Sequence, residues 1–513
     1  MVNYSFTSLS GSYAIDALLI GQHWGGGLGK KLSISYSIPQ GTAYWASPYQ
    51  GDEPSSWSAL DSAESNAFRQ ALSAWSDVVN IDFFEVNDGQ TYGDIRVAFS
   101  EEVSNSNSAG WAYVPGPGEE AGDIWLDSSQ GGTYQLGSFG YTTLIHEIGH
   151  ALGFAHPFEL KDGNSSLLRG IEDTAQYTVM SYNDYDGVGD TFIPSGRSGY
   201  SWYPAQATSP MLYDILAIQY LYGQNLSTRT GDDVYTFSND TVEFKTIWDA
   251  GGGDTFDLSN QMLSVEIDLN AGAFSSIGLK EEWDDDLGIV TSKAIDNIAV
   301  AFDVVIENAI GGKGNDSLTG NQFDNQLTGG GGDDYLFGGL GDDTAIYQGN
   351  LDDYQIFTQG NSLVVNSLRE GMDYLSDIEQ LVFQDQTVSA LLYSAFKPQT
   401  PDEVILRPEE GDTNSINYFL LSLSAALNVD ASVQYRTING TAIAGLDYIY
   451  ASGEAVIKAG STHTVIGVEI IGDTVVEANE TFFLEVSEPS GVGFPNGNLI
   501  LTAIRTIVDN DSF

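Results

Sequence analysis

The sequence predicts a multidomain protein in which an α+β domain is followed by a parallel β-roll and an antiparallel β-sandwich. Three observations predict this order. Residues 1–225 mix helical and strand-like periodicity. Residues 226–396 are enriched in glycine and aspartate around a nine-residue repeat. Residues 397–513 alternate apolar and polar residues between turn signals. A chain of 513 residues is also long enough to build several hydrophobic cores.

The first predicted domain, residues 1–225, contains two helices and alternating strand-like segments. Apolar residues at three- and four-residue steps predict a helix over residues 56–79. A second helix is expected over residues 141–152, where Gly153 stops it. The segments 94–100 and 123–127 are expected to be strands.

The second predicted domain, residues 226–396, is defined by four consecutive units in one register. The units GGKGNDSLT, GNQFDNQLT, GGGGDDYLF and GGLGDDTAI begin at positions 311, 320, 329 and 338. This pattern is typical of calcium-binding parallel β-rolls, in which each unit is one turn and one short strand. The apolar eighth positions are expected to face the core, and they are Leu318, Leu327, Leu336 and Ala345.

The third predicted domain, residues 397–513, reads as an antiparallel β-sandwich. The segments SVQYRTI, EAVIKAG, HTVIGVEII and TFFLEVS alternate apolar and polar residues. The preceding segment 396–403, FKPQTPDE, has two prolines among polar residues and predicts a linker.

Composition restricts the partners of the chain. The 71 acidic and 18 basic residues give a net charge of −53, so nucleic acid and anionic membrane surfaces are excluded as expected partners and divalent cations are favoured. The chain has no cysteine, so a transition metal must be bound by histidine and carboxylate. No run approaches 18 apolar residues, and the first basic residue is Lys30, so neither a membrane span nor an N-terminal secretory signal is expected.

The strongest chemical motif is HEIGHALGFAH at residues 146–156. His146 and His150 are four residues apart, so on a helix their imidazoles share one face, and Gly153 lets the chain return His156 as a third zinc ligand. Three nitrogen ligands leave coordination positions open, as in catalytic zinc sites. Glu147 is positioned to accept a proton from a metal-bound water, which makes it the candidate general base.

Together with YTVMSY, this motif resembles the metzincin metalloproteases, and within them the serralysin family. The resemblance implies that Met180 forms an apolar floor under the histidines, and that Tyr182 is a further zinc ligand that swings away to stabilise the oxyanion. It extends over most of residues 12–395, through DALLIGQHWGGG, TRTGDDVY and VIENAIGGKGND. It also implies a rim strand that pairs with extended peptide, formed by residues 98–100 and 110–116.

The same resemblance implies several structural calcium ions held by the turns of the roll. Phe323 and Asn325 depart from the repeat, where glycine and aspartate belong. The upstream candidates are Arg229, Gly231, Asp233, Asp249, Gly251 and Asp254. A first ion of the repeats would join Gly312, Gly314 and Asp316 to Gly329, Gly331 and Asp333, and a second would join Glu307 to Gly320 and Asp324. Further candidates are Gly330, Gly332, Asp334 and Asp342.

The third domain resembles a Calx-β domain. The resemblance rests on INGTAIAGLDYIYASGEAVIKAG, IGDTVVEANETFFLEVSEPSG and a final IVDND. Such domains can bind calcium in turn regions, and others are purely structural. The candidate ligands here are Asp447, Glu477, Glu480, Asp509 and Asp511.

These features lead to the hypothesis of a secreted, calcium-dependent zinc endopeptidase of broad specificity, acting on proteins or peptides as a monomer. The acidic roll would stay unfolded at low calcium, which is consistent with a signal-peptide-independent (type I) route of export to the extracellular space. Two alternatives remain: a calcium-binding adhesion or matrix protein whose protease domain is inactive, and a polysaccharide-binding protein that works through its sandwich. Intact Glu147 and Tyr182 argue against the first alternative, because structural zinc requires neither.

Overall fold

The computed structural model describes the chain apart from a set of short stretches, and it divides into two compact units, Met1–Gly341 and Asp342–Phe513. The stretches outside the description are residues 1, 42, 46–48, 90–91, 131–133, 195–199, 285–287, 360–361, 391–396, 400–412, 424–429, 475–478, 491–499 and 509–513.

The α-helices of the described residues all lie in the first unit. They are α1 (Tyr13–Asp16), α2 (Ser62–Val78), α3 (Glu101–Ser106), α4 (Phe139–Leu152) and α5 (Leu212–Tyr222). None of these helices is both long enough and apolar enough to cross a membrane.

Helix α2 begins later than its periodicity predicts, because Asp61 caps it. The Asp61 carboxylate accepts from the backbone N–H groups of Ala63 and Glu64, and the Glu64 carboxylate accepts from Asp61 N, which closes a capping box. Inside the helix, Trp75 is fully buried and donates from Nε1 to the carbonyl oxygen of Ile145 at 3.1 Å. Helix α2 therefore packs directly against α4.

The first ten strands belong to the region that carries the histidine motif. They are β1 (Tyr4–Phe6), β2 (Gln22–Trp24), β3 (Leu32–Ser37), β4 (Trp57–Ser58), β5 (Ile81–Glu85), β6 (Ile95–Ser100), β7 (Gly110–Ala112), β8 (Asp123–Asp127), β9 (Asp190–Pro194) and β10 (Tyr200–Pro204). The main sheet has the order β5-β3-β6-β8-β7, and β4 pairs with β6. Strands β5, β3, β6 and β8 are parallel, whereas β7 runs antiparallel to β8 at one edge.

The rest of the first unit is built from short strands. They are β11 (Val234–Tyr235), β12 (Lys245–Ile247), β13 (Thr255–Asp257), β14 (Glu266–Asp268), β15 (Phe274–Ser275), β16 (Leu279–Asp284), β17 (Gly288–Lys293), β18 (Ile298–Val300), β19 (Asn308–Ile310), β20 (Ser317–Thr319), β21 (Gln326–Thr328) and β22 (Tyr335–Phe337). Two parallel ladders, β11-β13-β19-β21 and β14-β20-β22, form the faces of a roll. The eighth-position side chains Leu318, Leu327 and Leu336 are buried between them, which confirms the predicted core positions in this unit.

The second unit contains β23 to β35. They are β23 (Thr344–Ile346), β24 (Gln355–Gln359), β25 (Ser362–Ser367), β26 (Gly371–Ser376), β27 (Gln380–Val382), β28 (Thr387–Ser389), β29 (Lys397–Gln399), β30 (Ser415–Ser422), β31 (Ala431–Asn439), β32 (Ser452–Ile457), β33 (His463–Ile470), β34 (Glu480–Ser490) and β35 (Ile500–Ile507). The antiparallel sheets β29-β30-β33 and β32-β31-β34-β35 enclose one apolar core that includes Phe419, Val433, Ile466 and Phe482. The predicted sandwich is confirmed. The predicted linker is wrong at residues 397–399, which form β29, and its residues 396 and 400–403 lie outside the described residues.

Candidate metal centre

Helix α4 carries the first two histidines and the glutamate between them. Ser138 caps its start, accepting from Tyr141 N at 3.2 Å, and Gly153 ends it with φ of +114°. A Cβ at Gly153 would lie 2.5 Å from the carbonyl oxygen of Gln22, so both the backbone conformation and the close approach to β2 require glycine.

The chain after Gly153 returns towards α4 because it pairs with residues 18–20. Ala155 N donates to the carbonyl oxygen of Leu18 at 2.8 Å, and Ile20 N donates to that of Gly153 at 3.0 Å. The ammonium group of Lys161 then bridges the carbonyl oxygens of Ala17, at 2.5 Å, and His156, at 3.3 Å. These contacts fix the backbone of His156.

The three imidazoles converge on one point. His146 Nε2 lies 3.1 Å from His150 Nε2 and 3.2 Å from His156 Nε2, and the latter two atoms are 3.1 Å apart. Ligands around a tetrahedral ion with bonds of about 2.0–2.1 Å stand about 3.3 Å apart, so this spacing fits one zinc ion. The three ring nitrogens form a group suited to a single metal ion.

The outer nitrogens of the rings fix the tautomers. His146 Nδ1 donates to the carbonyl oxygen of Val179 at 2.7 Å, and His150 Nδ1 donates to that of Phe154 at 2.9 Å, because a carbonyl can only accept. Burial lowers the pKa of His146 to about 4 and holds that of His150 well below its ordinary value. Both rings are therefore neutral and direct an Nε2 lone pair into the centre.

His156 has a different outer partner. Its Nδ1 lies 2.9 Å from Oε1 of Glu159, an ion-pair distance without hydrogen-bond geometry. Phe158 stacks on the His156 ring at 5.3 Å between centroids and 2° between planes. The third ligand is thus held by ring packing and by a half-exposed carboxylate.

Glu147 is almost fully buried, and its Oε2 has no hydrogen-bond partner among the described residues. Burial raises the pKa of Glu147 to about 8. A Cβ at Gly110 would lie 3.2 Å from Glu147 Oε1, so the absence of a side chain on β7 makes room for this carboxylate. A cation at the three histidines would favour the ionised form of the nearby carboxylate.

Tyr182 contacts the histidine cluster, and Met180 packs against the helix that carries its first two members. The Tyr182 hydroxyl is 2.8 Å from His156 Nε2, and the residue is 68% exposed, which leaves room for its ring to move. Met180 is fully buried, and its sulfur would be 2.8 Å from a Cβ at Gly149. Glycine at 149 therefore lets the methionine pack against α4.

Asp214, at the start of α5, supports this methionine turn and was not found from the sequence. One carboxylate oxygen accepts from Thr178 Oγ1 at 2.6 Å, and the other accepts from the N–H groups of Val179 and Met211, both at 2.8 Å. Burial raises the pKa of Asp214 to about 7. Because the Val179 carbonyl orients His146, Asp214 positions a ligand from a distance.

The predicted rim strand is half correct. Residues 98–100 lie in the buried strand β6, where β8 pairs along one side and β4 pairs with residues 99–100 on the other, so they do not form an open edge. Residues 110–112 form β7, and β7 is the edge. Ala109 O accepts from Asp127 N, Tyr113 N donates to Asp123 O, and Tyr113 O accepts from Gly122 N, so these groups bond inwards to β8 and the residue before it. Because alternate residues of a strand direct their backbone groups to opposite sides, Gly110 and Ala112 present theirs to the open edge.

The upstream calcium candidates meet in one place. Carboxylate oxygens of Asp233, Asp249 and Asp254 lie within 4.8 Å of one another. Asp254 Oδ2 is buried without a hydrogen-bond partner among the described residues, and burial together with Asp249 and Glu307 raises the pKa of Asp254 to about 7. Carboxylates crowded in this way suit a divalent cation with oxygen ligands.

The glycines and Arg229 shape the loops of this cluster. A Cβ at Gly252 would lie 1.9 Å from the carbonyl oxygen of Gly231, and Gly251 has φ of +127°. Arg229, with φ of +51°, donates to the carbonyl oxygen of Trp248 at 2.7 Å, and its own carbonyl oxygen accepts from Ala250 N at 3.2 Å.

Within the roll, carboxylates link several turns to the preceding turn on the same face. Asp254 Oδ1 accepts from Asp233 N at 2.8 Å, and Glu307 Oε2 accepts from Asp254 N at 2.7 Å. On the other face, Asp334 Oδ1 accepts from Asp316 N at 2.8 Å. We call this arrangement the carboxylate ladder.

The turns 311–316 and 329–334 are stacked, as the nonapeptide register predicts. Gly331 N donates to the carbonyl oxygen of Gly312 at 3.0 Å, and Asp333 N donates to Asn315 Oδ1 at 3.0 Å. The glycines are required by this contact. A Cβ at Gly311, Gly330 or Gly332 would lie 2.2–2.3 Å from the carbonyl oxygens of Gly329, Gly312 and Gly314 respectively.

The structure gives individual contacts for other calcium candidates. Glu307 Oε2 accepts from Asp254 N at 2.7 Å. Asp342 opens the second unit, two residues before β23. In the sandwich, Asp447 Oδ2 accepts from Ile443 N at 2.6 Å, and Glu480 begins β34. Glu477, Asp509 and Asp511 lie outside the described residues.

Three family models match the chain. The model described as Matrixin matches residues 53–192, the one described as Peptidase M10 serralysin C terminal matches residues 219–450, and the Calx-beta domain model matches residues 408–511. The first of these spans the histidine motif, and the second spans the roll.

Two serralysins are among the curated relatives that match the chain. A serralysin of Proteus mirabilis is 36% identical over 327 residues, covering 58% of this chain and 61% of the relative, and serralysin G of Dickeya chrysanthemi gives the same three percentages over 318 residues. The chain therefore spans about three fifths of the length of these relatives. Among solved structures, the apo-form Calx CBD1 domain is 28% identical and covers 20% of this chain and 89% of its own, at a TM-score of 0.18, which is too low to establish a shared fold.

The matched segments follow one another in the order that the sequence predicts. The expected resemblance is confirmed: this chain is similar to serralysins, and it combines segments that match the Matrixin and serralysin C-terminal models with one that matches the Calx-beta domain model.

Proposed function

We propose that this chain is a zinc endopeptidase that hydrolyses peptide bonds in proteins with broad specificity and depends on calcium for its folded state. The convergence of three Nε2 atoms 3.1–3.2 Å apart, beside a buried glutamate, is the observation that carries this proposal. The serralysin relatives support the same reaction class.

His146, His150 and His156 would hold the zinc, and Tyr182 would join them when its hydroxyl stays near His156. Bound zinc would polarise the scissile carbonyl and acidify a water molecule. Glu147 then takes the proton of the attacking water and passes it to the leaving nitrogen, as a general base followed by a general acid. The Tyr182 hydroxyl, free to swing, donates to the oxyanion as negative charge develops there.

An extended substrate would add to the sheet at β7. Gly110 and Ala112 offer backbone donors and acceptors at the open edge, beside Glu147. Pairing of this kind recognises the peptide backbone itself, so it provides affinity with little preference for sequence.

Calcium would be held by the Asp233, Asp249 and Asp254 cluster and by the stacked turns 311–316 and 329–334. These carboxylates have few cations nearby to offset their charge, so calcium affinity would become part of the folding free energy. We further propose the domain limits 1–225, 226–396 and 397–513, a monomeric state, and export to the extracellular space by a signal-peptide-independent (type I) route.

Digestion of casein by the zinc-loaded chain, with and without a chelator, tests the proposed function. Wild type should digest casein, and either chelation or the Glu147→Gln substitution should abolish digestion. A zinc-loaded, folded wild-type chain that leaves casein intact would favour the adhesion or matrix alternative.

A further inference from the structure

A second buried glutamate lies on the far side of the rim strand from Glu147. Glu53 is 3% exposed, and its Oε1 accepts from Trp111 Nε1 and from the Tyr113 hydroxyl, both at 2.9 Å. Its Oε2 has no hydrogen-bond partner among the described residues. The mechanism above leaves this costly buried carboxylate without a role.

The geometry places β7 between the two glutamates. Trp111 and Tyr113 are alternate residues and reach Glu53 from one face of the strand, whereas Gly110 faces Glu147. Ser100 Oγ donates to the backbone carbonyl of Glu53 at 3.1 Å, which anchors Glu53 to the buried strand β6. Glu53 therefore ties an edge strand, held on one side only by β8, to the interior of the sheet.

We propose that Glu53 is a positioning residue for substrate. It holds β7 in the position in which an extended peptide can pair with the open edge of this strand and present its scissile bond to Glu147. The proposal rests on the proposed peptidase function. Without Glu53, Trp111 and Tyr113 would lose their shared acceptor and the edge strand would be free to shift. A substrate long enough to pair with β7 would be affected, and a short one would not.

Two peptides with the same scissile bond test this, one of eight residues and one blocked dipeptide. In Glu53→Ala, kcat/KM for the long peptide should fall at least tenfold through KM, whereas that for the short peptide should stay within twofold of wild type. Glu101→Ala, an exposed acid on α3, is the matched control and should change neither. Equal losses on both peptides, or no loss, would overturn the proposal.

A binding readout separates this proposal from the peptidase hypothesis. The dissociation constant of the uncleaved long peptide is measured on zinc-loaded Glu147→Gln with and without Glu53→Ala, and it should rise at least tenfold with the second substitution. If Glu53→Ala loses zinc or thermal stability, Glu53→Gln replaces it, because the amide oxygen keeps the shared acceptor; a smaller loss in the same direction is expected. Absence of cleavage by wild type refutes the peptidase function, and unchanged peptide binding refutes the role of Glu53.

An independent observation concerns the turn formed by residues 320–325, which we call the asparagine turn. Asn325 Oδ1 accepts from Asn321 N at 2.7 Å, and Asn325 Nδ2 donates to the carbonyl oxygen of Glu307 at 2.9 Å. Asn321 Nδ2 donates to the carbonyl oxygen of Ile306 at 2.8 Å. Both side chains are buried.

The equivalent atoms in the next turn are acceptors. The atom of Asp334 that corresponds to Asn325 Nδ2 is Oδ1, and it accepts from Asp316 N at 2.8 Å. The side-chain amides of Asn321 and Asn325 donate to the carbonyl oxygens of Ile306 and Glu307, so amide hydrogens with positive partial charge lie between the stacked turns. The Glu307 carboxylate accepts from Asp254 N. Asn325, which stands where the repeat has an aspartate, therefore does not supply the carboxylate that Asp316 and Asp334 supply in their turns, and it does not fit a calcium ion that requires this oxygen.

We infer that the asparagine turn is closed by neutral hydrogen bonds and binds no calcium. Restoring the aspartate by Asn325→Asp should raise the number of bound calcium ions by one, counted by elemental analysis after equilibrium dialysis. In chelator the variant should melt below wild type, because its carboxylate would face the backbone carbonyl oxygen of Glu307 to which Asn325 Nδ2 donates, and calcium should remove that difference. Asp334→Asn, the matched change in the next turn, should lower the count by one. An unchanged count in Asn325→Asp, or a melting temperature difference that calcium does not alter, would overturn the inference.

Discussion

Removal of the Asp214 carboxylate should weaken both the fold and the zinc site. In Asp214→Ala, the backbone N–H groups of Val179 and Met211 lose their acceptor in a buried setting, at about 1–3 kcal/mol each. The free energy of unfolding should therefore fall by about 2–6 kcal/mol. Asp214→Asn should cost only about 1–2 kcal/mol, because its oxygen can serve both N–H groups while its amide donates to Thr178 Oγ1.

Asp214→Ala should also weaken zinc binding, because Val179, which Asp214 holds, is hydrogen-bonded to the zinc ligand His146. Val179 O orients His146 through Nδ1 at 2.7 Å, so a displaced Val179 should weaken zinc binding about 10–100-fold. Urea unfolding gives the first quantity, and competition with a zinc chelator gives the second. Asp162→Ala, at an exposed position near the site, is the control. Asp214→Ala with wild-type stability and wild-type zinc affinity would refute the reasoning.

Four further predictions follow from the site and the roll. Glu147→Gln should bind zinc normally yet lose several orders of magnitude in turnover, and near-normal peptidase activity would contradict its role as base. Tyr182→Phe should lower kcat about 10²–10³-fold with little change in KM, and a pure KM effect would argue against oxyanion stabilisation. Gly149→Ala should lower thermal stability and zinc affinity together, because its Cβ meets Met180 Sδ at 2.8 Å; a variant unaffected in both would disprove the close packing. In chelator, the roll should lose stability as pH rises from about 4 to 7, because burial raises the folded-state pKa of Asp254 and Asp334 to about 7 and the unfolded chain releases those protons earlier; saturating calcium should remove this trend, and calorimetry across pH with and without calcium checks it.

Local patterns were sufficient where one segment defines its own environment. The spacing of His146 and His150 requires only one helix face, and the nonapeptide register repeats the same turn and strand, so both were predicted in detail. Helix α2 was predicted six residues too long at its start, because residues 57–58 pair with β6 while Asp61 caps the helix.

Long-range pairing was beyond the sequence pattern. Residues 98–100 were expected at the rim, yet β4 and β8, which are distant in sequence, pair with this end of β6 on its two sides. Asp214 lies 64 residues after His150 and carries no motif, and Glu53 is an acidic residue in a stretch without periodicity. Neither contact could be inferred without the fold that brings them to the methionine turn and to β7.

The hydrogen bonds of the carboxylate ladder all run in the same direction along the chain. In each link the acceptor belongs to the later turn and the buried N–H to the earlier one, as in Asp233 to Asp254, Asp254 to Glu307 and Asp316 to Asp334. An earlier turn therefore lacks the carboxylate acceptors of these N–H groups until its successor is in place, whereas the backbone bonds between turns run the other way, as from Gly331 N to the carbonyl oxygen of Gly312. Neighbouring turns are consequently bonded in both directions, so truncation at either end should leave backbone groups of the adjoining turn without partners, and truncation from the C-terminal side should in addition remove carboxylate acceptors.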